Sequence, residues 1–178
     1  ATSGKFYLAR HPVTREMALL MDACGLPTEL ADDMRPVQWG KLLVNLINAL
    51  NALSGLPLRD QLAQRSWRVL FADQMREALA VIKAEGIAPV STTPLPASFT
   101  PFILKLPDAL FTRIASSMVK IDPKARSSMW EDLQRGRRTE IDHLQGLIVT
   151  LAKRHGLPAP LSERIVGLIR KAEQAGKG

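Results

Sequence analysis

"VQWGKLLVNLINALNAL", residues 37–53, marks the point where this chain turns into a succession of helices. Apolar residues recur in it at helical spacing, so one helix is expected across the stretch. Within that run stand one lysine and three asparagines, and Lys41, Asn45 and Asn48 fall at i, i+4 and i+7 on a single helical face. A cation and two amides aligned in apolar surroundings need a use. Either they reach solvent and cap nearby backbone, or they line a binding surface. Asn51 lies off the stripe and reads as structural.

N-terminal to this stretch the pattern differs. "KFYLAR" (5–10) and "PTELAD" (27–32) read as short strands flanking a helix in "HPVTREMALLMDACGL" (11–26), with Pro12 in its first turn and Gly25 at its end. Strand, helix and strand in this span have the size of a βαβ crossover unit. One such unit cannot cover both faces of a sheet. Residues 1–35 therefore read as the closing piece of a larger α/β domain whose beginning is absent, and 36–178 as a separate helical domain.

C-terminal to it, helices are expected at 69–85, 108–120, 139–157 and 159–174, the third with Thr139 as its cap. "APVSTTPLPASFTP" (88–101) is rich in Pro, Ser and Thr and reads as a loop, and "IDPKARSSMWEDLQRGRR" (121–138) as a turn. Composition agrees with a mostly α fold: 46% hydrophobic residues supply a core, and only 5% aromatics leave it to Leu, Ala, Val, Ile and Met.

The net charge of +7 raises the question of an anionic partner, but the excess is dispersed. The one dense cluster, Arg135, Arg137 and Arg138, sits in a Gly-broken turn without interleaved aromatics, which reads as a solvated loop rather than a nucleic-acid surface. A single cysteine, Cys24, excludes an internal disulfide, and no apolar run has the length of a membrane span. A cytoplasmic setting is the expectation. His11, His143 and His155 lack metal-ligand spacing, so no metal is expected, and no Gly-rich phosphate loop is present.

Three polar features survive this filter. They are the Lys41/Asn45/Asn48 stripe, the pair Ser127–Ser128 ahead of a helical turn, and Glu140 in a first helical turn. Plain N-capping accounts for the serines, and macrodipole stabilisation for the glutamate, if each is taken alone. In order and spacing, however, K-x-x-x-N, S-S-M-x-x-D and T-E-I-D, with Glu140 twelve residues after Ser128, resemble the C-terminal half of ketopantoate reductases (2-dehydropantoate 2-reductases). The resemblance extends through "HGLPAPLSERIVGLI" and back through residues 11–34, and so covers essentially the whole chain.

That resemblance implies a multi-helix domain similar to the C-terminal domain of phosphogluconate dehydrogenases, preceded here by a β-α-β remnant of a Rossmann domain. It implies NADPH-dependent reduction of ketopantoate to pantoate, a step toward pantothenate and coenzyme A. By position, Lys41 matches the family's catalytic lysine, Asn45 its substrate-contacting asparagine and Ser128 the serine that meets the substrate carboxylate. Glu140 matches the active-site glutamate, which serves catalysis and cofactor together. The family's second asparagine stands eight residues after the lysine, where this chain has Ala49; Asn48 comes one residue earlier, an offset of about 100° on a regular helix.

The residue types suit the reaction. Hydride addition to a 2-oxo group builds negative charge on oxygen, and an ammonium on a rigid helix can both stabilise that charge and supply a proton. With the nucleotide-binding half missing, the chain is expected to be inactive alone. Reduction of a different 2-oxo acid is the alternative within this class, and a basic helical interaction module the alternative outside it. The partner expected is a small 2-oxo acid, with neither nucleic acid nor membrane, and the resemblance is compatible with a homodimer.

Overall fold

A computed structural model describes residues 5–91, 96–115 and 122–176. Strands β1 (Phe6–Ala9) and β2 (Thr28–Ala31) pair in parallel, from Phe6 opposite Thr28 to Ala9 opposite Ala31, with helix α1 (Pro12–Ala23) as the crossover. The helix starts where Pro12 fixes φ and where the His11 ring accepts the Val13 N–H, while the Thr14 hydroxyl accepts the His11 N–H at 2.9 Å. It ends at Gly25, whose φ of +76° suits a residue without Cβ. The strand–helix–strand reading of this segment matches the structure.

Beyond it lie helices only. These are α2 (Arg35–Asn45), α3 (Ile47–Ser54), α4 (Leu58–Ala63), α5 (Arg65–Ala84), α6 (Thr100–Leu104), α7 (Asp108–Ala115), α8 (Ser128–Gln134), α9 (Gln145–Arg154) and α10 (Pro160–Ala175). The Asp33 carboxylate takes the Arg35 guanidinium and N–H at the entrance to α2, and these bonds hold its carboxyl below the ordinary range. The core is built around α5, whose Phe71, Met75, Ala78 and Ile82 meet Leu43 and Leu50, Ile148 and Leu151, and Ile165 and Ile169. Among the described residues, no helix is long and apolar enough to cross a membrane.

Four expectations are corrected. The helix over 37–53 is interrupted at Leu46, giving α2 and α3. The 88–101 loop is irregular at 88–91 but ends in a 3-10 turn at Ala97–Phe99 and in α6, because Pro101 is compatible with a first helical turn. The 121–138 turn contains the helix α8, which Ser127 caps. The 139–157 helix starts only at Gln145. Thr139 is held instead by Glu173, whose carboxylate accepts both its N–H and its hydroxyl at 2.7 Å, and Ile141–His143 form a separate 3-10 turn. Residues 116–120 of the expected 108–120 helix lie outside the described residues.

Two charged groups organise this packing. Arg68 of α5 is fully buried and donates to the carbonyls of Leu62, Ala63, Leu104 and Leu106, with a bond of 2.7 Å to Asp108. Its guanidinium lies 4.1 Å over the Phe111 ring. One planar fork thus serves the carbonyl ends of α4 and α6 and the first turn of α7. Glu77, also on α5, accepts the N–H groups of Leu161 and Ser162 at 2.8 Å each, which supplies the acceptors that the start of α10 lacks.

Candidate functional site

The residues picked out from sequence belong to four chain segments that meet around the interruption at Leu46. Lys41 and Asn45 lie on α2, Asn48 on α3, Ser128 opens α8, and Glu140 immediately precedes the Ile141–His143 turn. Lys41, Ser128 and Glu140 are exposed, and Asn45 and Asn48 are half-buried.

Three hydrogen bonds bring those segments together. The Ser127 hydroxyl donates to the Asn48 carbonyl at 3.0 Å, and the Ser127 N–H donates to Asn51 Oδ1 at 2.9 Å, which seats the start of α8 against α3. Gln145 Nε2 donates to the Leu46 carbonyl at 2.9 Å and attaches the segment that follows Glu140 to the joint between α2 and α3. Thr139, on the other side of Glu140, is fixed to Glu173 near the end of α10. Both flanks of Glu140 are therefore anchored.

Of the two serines for which capping was the plain reading, one takes that role. Ser127 is the cap: its Oγ accepts the Trp130 N–H at 3.2 Å, in extended backbone at the start of α8. Ser128 is the first helical residue and is exposed. Asn51 is fully buried and structural, as its place off the stripe suggested; its Nδ2 donates to the Leu56 carbonyl and to Gln61 Oε1, both at 2.9 Å.

Beside these engaged groups, the side chains of Lys41, Asn45, Asn48, Ser128 and Glu140 make no hydrogen bond or ion pair among the described residues. They are held on a fixed backbone but not tied to one another. A cleft of about 240 Å³ near Glu140 is lined by Arg138, Thr139, Asp142, Arg170, Glu173 and Gln174, and contains none of the candidates. Among the described residues no group of three or more His, Cys, Asp or Glu could hold a metal ion.

One wall of the α2 face was not foreseen. Val90 crosses α2 beside Lys41, with its N–H donating to the Pro36 carbonyl at 2.9 Å and its carbonyl against Gly40, where a Cβ would stand only 1.9 Å away. Gln145 and Arg68 were also missed. Gln145 carried a signal, as a polar residue within the apolar row of Ile141, Leu144, Ile148 and Ala152.

The family model described as ketopantoate reductase PanE/ApbA C terminal matches residues 33–173. The chain belongs to that family. Its ketopantoate reductase relatives include the 2-dehydropantoate 2-reductase of Halobacterium salinarum, 25% identical over 98% of this chain and 52% of that protein. The chain spans about half the length of the curated relatives it matches. Among solved structures, a PanE/ApbA family ketopantoate reductase from Ralstonia eutropha superposes with a TM-score of 0.76 at 30% identity, over 99% of this chain and 54% of that one. A D-mandelate dehydrogenase solved with NADH and anilino(oxo)acetate shares the fold, with a TM-score of 0.75 at 20% identity over 100% of this chain and 70% of that one.

Proposed function

We propose that this chain is the substrate-binding and catalytic half of a ketopantoate reductase, the enzyme that reduces ketopantoate to pantoate with NADPH. The observation that carries the reading is the contrast within the site. Asn51, Ser127 and Gln145 are buried and spent on backbone, while Lys41, Asn45, Asn48, Ser128 and Glu140 present unengaged polar groups from the same segments. Unengaged groups on an anchored frame suit a bound polar molecule.

In this reading the nicotinamide, when bound, supplies hydride to C2 of the 2-oxo acid. The Lys41 ammonium stabilises the negative charge that develops on the carbonyl oxygen and transfers a proton to it. Asn45, one turn along, holds the substrate hydroxyl, and Asn48 contributes a second amide from beyond the joint. The Ser128 hydroxyl donates to the substrate carboxylate. Glu140, exposed and anchored on both sides, fits acceptance of a hydrogen bond from a ribose hydroxyl of the cofactor.

We assign residues 1–35 to the end of a nucleotide-binding domain and 36–178 to the helical domain. The parallel β1–β2 pair supports this, because an isolated two-stranded parallel sheet leaves apolar surface uncovered. Val13, Leu19 and Leu20 of α1 are 62%, 66% and 69% exposed, with Phe6 and Leu26 also exposed, which is the surface a larger sheet and its helices would cover. Such a domain holds the dinucleotide at the carboxyl ends of its strands.

The test is steady-state NADPH oxidation by the chain joined to its nucleotide-binding half, with ketopantoate, other branched 2-oxo acids and phenylglyoxylate as substrates. Ketopantoate is expected to give the highest kcat/KM. A preference for another 2-oxo acid overturns the substrate assignment, and absence of turnover with all of them overturns the reading. Tight NADPH binding by residues 1–178 alone overturns the domain division.

A further inference from the structure

We propose that Glu173 is the positioning residue for Glu140: from the last turn of α10 it fixes, through Thr139, the backbone that presents the Glu140 carboxylate to the cofactor ribose. This rests on the functional reading above. The Glu140 side chain has no partner among the described residues, so its placement depends on the residues beside it.

Those residues are held by one short chain of bonds. Glu173 Oε1 accepts the Thr139 N–H and the Thr139 hydroxyl, each at 2.7 Å. The same hydroxyl oxygen accepts the Ile141 N–H at 3.3 Å, so Thr139 Oγ1 spans Glu140 from one neighbour to the other. The Glu140 carbonyl in turn accepts the His143 N–H at 3.0 Å and the Leu144 N–H at 3.2 Å. All of these groups belong to residues 139–144 except the Glu173 carboxylate, which arrives from 34 positions away.

Other contacts of the segment do less. Ile141 is buried and roots it in the core, but apolar packing is non-directional, whereas hydrogen bonds fix direction. Arg170 meets Asp142 at 2.7 Å, one turn earlier on α10, through side chains 57% and 62% exposed and open to solvent screening. The Thr139–Glu173 bonds are half-buried. Local physics does not account for an acid at position 173. It lies in the last turn of α10, at the negative end of the helix macrodipole, where a carboxylate is disfavoured and no basic residue stands. The two charge-assisted bonds to Thr139 offset that penalty. A carboxylate meets a ribose hydroxyl only within hydrogen-bond range, so a segment that shifts loses the contact. Glu173 acts in this way through Glu140, without touching cofactor or substrate.

The test uses the full-length polypeptide. Glu173→Leu removes the acceptor, and Glu173→Gln keeps an amide oxygen that can take both donors. Thr139→Val, which deletes the hydroxyl, takes the place of the leucine variant if that protein does not fold. Ile169→Val is the control for lost packing of α10. Glu173→Leu is expected to raise the KM for NADPH about fivefold or more, the scale of one lost hydrogen bond, while the KM for ketopantoate moves less than about twofold. Glu173→Gln and Ile169→Val are expected to stay within about twofold of wild type in both constants. In a Glu140→Ala background, Glu173→Leu is expected to add less than about a twofold rise, because the group it positions is gone. An unmoved KM for NADPH, or an equal rise in both backgrounds, overturns the proposal. Backbone amide exchange at Ile141 and His143 is expected to quicken in Glu173→Leu and not in Ile169→Val. If the wild type turns over no 2-oxo acid, the functional reading fails, and this exchange alone decides whether Glu173 fixes the Glu140 segment; unchanged rates overturn that.

Discussion

Asn51 and Ser127 stand 76 positions apart, yet Asn51 Oδ1 accepts the Ser127 N–H at 2.9 Å with both residues buried. Asn51 spends its amide nitrogen on Leu56 and Gln61 as well, so one side chain joins α3, the turn after it, α4 and α8. Asn51→Ala leaves buried groups unpaired on three segments and is expected to cost about 3 kcal/mol of stability. Asn45→Ala, half-buried and without a partner among the described residues, is expected to stay within about 0.5 kcal/mol of wild type. Urea unfolding of the two variants checks the contrast. Equal losses would show that Asn51 is not a junction.

Arg68 separates two kinds of stabilisation. Its own side chain is fully buried, whereas that of its acidic partner Asp108 is 66% exposed. Arg68→Met abandons four carbonyls and is expected to cost about 3–5 kcal/mol, while Asp108→Asn is expected to cost under about 1 kcal/mol. Thermal unfolding of both variants decides whether the carbonyls or the ion pair carry this junction.

Periodicity and turn chemistry made the helix-after-helix architecture and the β-α-β entry legible in the sequence. Pro12 and Gly25 mark the bounds of α1 locally, through backbone geometry. The interruption at Leu46 left no such mark, because nothing in "VNLINAL" breaks a helix. The late start of α9 has a non-local origin, since Thr139 looks like a cap until Glu173 takes its donors. At the site, sequence separated Asn51 from the stripe. Spacing alone did not separate Ser127 from Ser128; the resemblance singled out Ser128, and it is Ser127 that caps α8 and meets the Asn48 carbonyl.

The entrance to α2 gives a pH signature. Asp33 has its carboxyl lowered below the ordinary value by its bonds to Arg35, so its contribution to stability is present above the unfolded carboxyl's pKa and lost as pH falls through the folded one. Asp33→Asn removes this dependence. The difference in stability between wild type and Asp33→Asn is expected to be constant near neutrality and to shrink below about pH 4. A difference that grows on acidification would reverse the sign of this linkage.

Gly40 lies next to the candidate lysine and beneath a backbone carbonyl. A Cβ there would stand 1.9 Å from the Val90 oxygen, and Val90 is itself held by its N–H to the Pro36 carbonyl. Neither group is the end of a flexible side chain, so Gly40→Ala must displace the crossing segment or α2. The expected cost is about 2–3 kcal/mol, with a fall in turnover beyond that explained by unfolding, because Lys41 moves with α2. Ala88→Gly, in the same segment but away from this contact, is the comparison for simple loosening. Unchanged stability in Gly40→Ala would mean that the segment yields freely.

Lys41 offers the most direct test of the proposed chemistry, because it is exposed and holds no partner among the described residues. Removing it should leave the fold alone, so Lys41→Ala is expected to keep the wild-type melting temperature. In the full-length polypeptide its kcat with ketopantoate is expected to fall by about 100-fold to 10,000-fold, the range for a lost proton donor. Lys41→Arg keeps the positive charge but holds its proton too tightly to transfer it, and is expected to recover substrate binding without recovering kcat. This pair distinguishes electrostatic attraction from proton transfer. Near-normal turnover in Lys41→Ala would remove the residue from the mechanism, and full activity in Lys41→Arg would reduce its role to charge.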